Sequence, residues 1–98
     1  MNVRLIAAAR IEFDEAVTFY LGRSDRAATD FVDAFERTKS SLSRFPFSGS
    51  RIRPDCRRTL VHNFPYQLIY RIRDGEIVVY AVAHQKRRPG YWRKRLSQ

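Results

Sequence analysis

From Ala8 to Tyr20 apolar side chains recur at helical spacing: Ala9, Phe13, Ala16, Val17 and Tyr20 stand three or four residues apart and share one face. The pattern breaks between Gly22 and Asp25, where Ser24 or Asp25 offers an N-cap for a second helix. Ala28, Phe31, Phe35, Thr38, Leu42 and Phe45 then repeat the same spacing. Pro46 has no N–H to continue the ladder and ends the run. Two amphipathic helices separated by so short a break predict an antiparallel hairpin. Ahead of them "NVRLIAA" is a short strand candidate. After them "PFSGSRIRPD", with its prolines, glycine and arginines, reads as a loop.

Beyond that loop the period changes to two. "RRTLVH" (57–62), "YQLIYRIR" (66–73) and "IVVYAVAH" (77–84) read as three strands. Asp74-Gly75 supplies the positive φ angles of a type I′ hairpin turn, and "NFP" turns the chain between the first two strands. In the middle strand Tyr66, Leu68, Tyr70 and Ile72 share one face, while Gln67, Ile69, Arg71 and Arg73 share the other. One face therefore suits burial under the helices and the other is largely polar. The order β-α-α-β-β-β predicts an α+β domain over residues 1–98, its helical hairpin packed on one face of a mainly antiparallel sheet.

Composition narrows the class. Ninety-eight residues, 44% hydrophobic and 30% charged, suit one folded domain with one core. Arg10, Glu12 and Asp14 interrupt any signal-peptide core, and "IVVYAVA" is too short to span a bilayer. Cys56 is the single cysteine, so no internal disulfide can form and a reducing, cytoplasmic setting is expected. One cysteine and two histidines make no zinc-type cluster, and phosphate-loop, dinucleotide and Ser-His-Asp signatures are absent. Neither metal nor cofactor is expected.

The net charge of +9 is unevenly placed. Residues 1–45 carry seven basic and seven acidic residues, whereas residues 46–98 carry twelve basic residues against three acids. The whole excess lies in the second half, which points to an anionic partner. It is densest in "HQKRRPGYWRKR", His84 to Arg95, with six basic residues, two aromatics and no acid.

"RRTLVHNFPYQLIYRIRDGEIVVYAVAHQKRRPGYW" resembles the C-terminal half of RelE/ParE-superfamily toxins, in particular the ParE-like, plasmid-stabilisation subgroup. The shared features are an arginine-bearing strand, an "FPY-x-L-I-Y-R" strand, and an apolar strand ending in "H-x-x-R-x-P-x-Y-W". In the first half "A-x-x-E-F-x-E-A-x-x-F-Y" and a second helix closing in "F-P" fit as well. The resemblance implies a growth-arresting toxin of a type II toxin–antitoxin pair, neutralised by a small cognate antitoxin that wraps it. It leaves the target open: ParE-like members poison DNA gyrase, RelE-like members cut ribosome-bound mRNA. A basic RNA-binding domain without toxicity is the reading on charge alone.

As an mRNA interferase the chain would need a base, an acid and cations around the phosphate, without metal. The resemblance places Arg87 at a catalytic arginine, Arg58 at a catalytic lysine, and Tyr91 slightly before an acid–base tyrosine. Arg58 could steady phosphate charge but stays protonated and is a poor base. Gln67 stands where the RelE-like pattern has arginine, which favours a binding toxin over an enzyme. His84 could transfer protons near neutrality, or could simply close its strand by bonding a neighbouring loop. His62, on the first of the three strands, is expected to be structural or exposed. Arg57, Lys86, Arg88, Arg93, Lys94 and Arg95 are candidates for binding the target or nucleic acid, the last three on a short basic helix. Arg51 and Arg53 are expected to be solvated. Trp92 is expected to fold back as an apolar anchor for the tail.

Overall fold

The computed structural model describes residues 1–97. In chain order it contains β1 (Asn2–Leu5), α1 (Ala7–Leu21), α2 (Asp25–Arg44), β2 (Ser50–Arg53), β3 (Cys56–Leu60), β4 (Tyr66–Arg73), β5 (Glu76–His84) and a 3₁₀ helix at Arg93–Ser97. The strands form one sheet in the order β1-β5-β4-β3-β2. β1 runs parallel to β5, and the other neighbours are antiparallel. Ser24 is the N-cap of α2, its hydroxyl accepting from the Ala27 N–H at 3.0 Å. Asp74 and Gly75 both have positive φ, as the hairpin between β4 and β5 requires.

Three expectations need correction. The segment read as a loop, 46–55, contains β2, a fourth strand after the helices that pairs with β3 at the sheet edge. Its four residues are interrupted by a register shift and followed by Pro54, so no alternation marks it in the sequence. β3 stops at Leu60, which leaves His62 exposed in the following turn rather than on a strand. Phe45 is 57% exposed: α2 ends at Arg44, and beyond it helical spacing no longer points a side chain at the core.

The core has two parts. Ala9, Ala16, Phe31, Phe35 and Leu42 of the helices meet Leu68, Tyr70, Ile77, Val79 and Val82 of the sheet, with Phe13 and Tyr20 packed alongside. On the opposite face Cys56, Ile69, Ala81 and Ala83 form a smaller cluster under Trp92, flanked by Ile52, Tyr91 and Leu96. That face, expected to be largely polar, is roofed by the C-terminal segment. A bulge in β5 prepares it. Ile69 lies opposite Ala81 and Tyr70 opposite Val79, so Tyr80 is an extra residue. The bulge sends Tyr80 and Ala81 to the roofed side and returns Val82 to the helices.

Candidate target-binding site

The site is built around an acid on α1. Glu12 lies between Ala9 and Ala16 on the buried stripe and is 8% exposed. β1 covers β5 only as far as Val79, where the Ile6 N–H closes the ladder. Further along β5, side chains take over its backbone groups. The Val82 N–H donates to Glu12 Oε1 at 3.0 Å, and Arg95 Nη1 donates to the Tyr80 carbonyl at 3.0 Å. Arg95 also donates to both Glu12 oxygens, at 2.8 and 3.2 Å, and the Tyr91 hydroxyl donates to Oε2 at 2.6 Å. A carboxylate so buried is tolerable because every contact is a donor and one is a cation. Burial first, then donation to Glu12 and its negative charge, push the Tyr91 hydroxyl well above the usual phenol range. It therefore stays protonated and bonded.

A second attachment lies at the other end of the tail. Arg71, buried on β4, donates to Asp55 at 3.1 Å, to the Tyr80 hydroxyl at 2.9 Å and to the Leu96 carbonyl at 2.8 Å. With Trp92 only 6% exposed between these two attachments, the segment from His84 to Leu96 is clasped rather than free. Trp92 thus acts as the expected anchor.

The clasp sorts the candidate residues. The Arg87 guanidinium stands over the Tyr91 ring, 3.9 Å from its centroid, with Nη1 3.9 Å from Glu12 Oε2. Its side chain is 53% exposed and makes no hydrogen bond among the described residues. Lys86, Arg88, Arg93 and Lys94 of the same segment are exposed, Arg93 beside a cleft that Arg58 also lines. Arg95, expected on the binding surface, is largely turned inward to Glu12. Arg57 also turns away: its Nη1 donates to the Phe47 and Gly49 carbonyls at 3.1 and 2.8 Å, so it braces the loop before β2. His84 Nδ1 accepts from the Lys86 N–H at 3.0 Å while its ring meets Tyr66 edge-on, the geometry of a strand-end histidine closing its own turn.

Arg58 faces two clefts. It lines an open cleft of about 600 Å³ with Ser48, Thr59, Gln67 and Gln85, and a smaller one with Arg53, Trp92 and Arg93. Arg87, His84 and Tyr91 line neither. Arg53, expected to be merely solvated, shares the smaller cleft. The structure thus joins Arg87, Tyr91 and Arg95 around Glu12, while Arg58 lines clefts that Gln85, Pro89, Gly90 and Arg93 of the tail also line. Glu12 and Arg71, the residues that organise the tail, were not singled out from the sequence. The signal for Glu12 was present: an acid three residues from Ala9 and four from Ala16 falls on the apolar stripe.

The fold and the clasped arginine-rich segment define a small basic α+β domain in which, among the described residues, no helix is long and apolar enough to cross a membrane. The family described as ParE toxin of type II toxin-antitoxin system, parDE, matches residues 3–89. Among solved structures, a chain of the chromosomal ParDE TA system from P. aeruginosa is similar, with a TM-score of 0.73 at 16% identity, covering 86% of this chain and 95% of that one. At that identity the likeness speaks for the fold alone. A comparison with curated proteins finds no match. This chain belongs to the ParE toxin family, the toxin half of a pair whose other half is an antitoxin.

Proposed function

We propose that the chain arrests growth by binding DNA gyrase through the basic surface around Arg87, without chemistry of its own. The cognate antitoxin holds it in check in the cytoplasm. The observation that carries this reading is the state of the groups an mRNA interferase would use. The Tyr91 hydroxyl is committed to Glu12 at 2.6 Å, and His84 Nδ1 to its own turn. Arg58 lines a cleft whose walls include neither of them. The Tyr91 hydroxyl, His84 Nδ1 and Arg58 each face different neighbours, which supports binding over general acid–base cleavage of RNA, where acid, base and phosphate cations must act on one phosphate. Binding needs only a rigid surface with free donors, and Arg87 with its exposed neighbours supplies that.

The test is induction without antitoxin, with pulse-labelling of new protein over the following minutes. Translation should continue while growth stalls later and DNA-damage signals rise. Prompt collapse of translation would overturn the reading in favour of an mRNA interferase. Undisturbed growth despite confirmed expression would overturn toxicity itself.

A further inference from the structure

The Glu12 carboxylate is costly to bury, and among the described residues it accepts no hydrogen bond from its own helix. Those it accepts come from β5 and the tail: the Val82 N–H, the Tyr91 hydroxyl and the Arg95 guanidinium. An apolar residue between Ala9 and Ala16 would pack α1 without needing any of these partners. The bonds also lead to one place on the surface. Tyr91, fixed by its hydroxyl, presents its ring to the Arg87 guanidinium, and the Glu12 carboxylate faces the same guanidinium from below at 3.9 Å. Arg95, the other cation near this ring at 5.2 Å, is already bonded to Glu12. Arg87 is therefore the half-exposed cation whose orientation the cluster sets while its N–H donors remain unused among the described residues.

We infer that Glu12 is a positioning residue. Through Tyr91 and Arg95 it seats the tail, and it holds the Arg87 guanidinium in one orientation toward an acidic protein surface. Arginine side chains lose rotamer freedom on binding, and one already stacked and paired has less to lose. A carboxylate on the first helix, more than seventy residues away in sequence, thereby controls the target-facing end of the chain. The inference rests on the gyrase-binding reading above.

The experiment is a double-mutant cycle on the full chain: wild type, E12Q, R87A and the double variant, each measured for affinity to purified gyrase. The amide introduced by E12Q would keep an acceptor for the Val82 N–H but remove the charge facing Arg87 and Arg95. E12Q should weaken binding about tenfold in the wild-type background and no more than about twofold when Arg87 is already alanine. Equal losses in both backgrounds would mean that Glu12 is merely structural and would overturn the inference, as would unchanged binding by E12Q. Y91F, which removes one bond to Glu12 but keeps the ring under Arg87, guards against misfolding of E12Q. It should show a smaller loss that likewise vanishes in R87A. The single tryptophan, Trp92, reports by its emission whether each tail stays seated. Wild-type chain that does not bind gyrase at all would instead fail the functional reading, and the inference with it.

Discussion

Replacing Trp92 with alanine tests whether the tail is part of the fold. Trp92 is 6% exposed over Cys56, Ile69, Ala81 and Ala83, and three of these are small, so little else can fill the space it leaves. Truncating a buried tryptophan costs about 3–5 kcal/mol, at the upper end where neighbours cannot collapse. A domain of this size has a total stability of about 5–15 kcal/mol, so a large share of the fold is at stake. At about 4–8 °C per kcal/mol, the melting temperature should fall by roughly 12 °C or more. Far-UV circular dichroism during heating and urea unfolding measures this without needing the lost fluorophore. W92F, which keeps an aromatic roof, should lose clearly less. A loss below about 1 kcal/mol for W92A would show that the tail does not cover the sheet, and the clasp would fail with it.

Three further outcomes follow from particular contacts. Cys56 is fully buried beneath the tail, and burial pushes its thiol up, so a thiol reagent should label the native chain far more slowly than the unfolded one, and Y91F faster than wild type. Equal labelling rates for wild type and Y91F would place the opening elsewhere. Glu76 accepts from Arg4 at 2.9 Å and Asn2 at 3.1 Å, first Arg4 and then Asn2 holding its carboxyl below the usual range. Its stabilisation of β1 is thus present above the ordinary carboxylate pKa and lost as pH falls through the lowered value. The stability difference between wild type and E76Q, followed by urea unfolding from pH 6 downward, should shrink toward zero in acid. A difference that persists there refutes the linkage. Gly49 has no room for a side chain: a Cβ would lie 2.5 Å from the Tyr70 hydroxyl and 2.7 Å from the Arg58 carbonyl. G49A should cost about 1–3 kcal/mol in unfolding experiments, and a neutral result would mean that the loop shifts freely.

Much of the fold was legible because its signals are local. The three-and-four spacing of α2 and the Asp74-Gly75 turn each lie within a few residues of what they determine, and β4 appears at Tyr66–Arg73 as its alternation predicts. β2 was hidden because its four residues are ordered by pairing with β3 rather than by an alternating pattern of their own. Ile69 looked like a lone apolar residue on a polar face that it shares with Arg71, since the tail that buries both returns from twenty or more residues away. The same distance concealed the candidate site. Arg87 and Tyr91 stand out in the sequence as a basic residue and an aromatic, but the carboxylate that joins them is on the first helix. Arg57 and Arg95 show the converse. Charge alone suggested surface, and nearby acceptors drew both inward.

On the function proposed above, the chain occupies gyrase rather than cutting RNA. The decisive measurement is supercoiling by purified gyrase with increasing amounts of the full chain and of R87A. Wild type should inhibit supercoiling, and R87A should do so at least about tenfold less well while still binding antitoxin. Undiminished supercoiling at saturating toxin, together with cleavage of mRNA on programmed ribosomes, would contradict it.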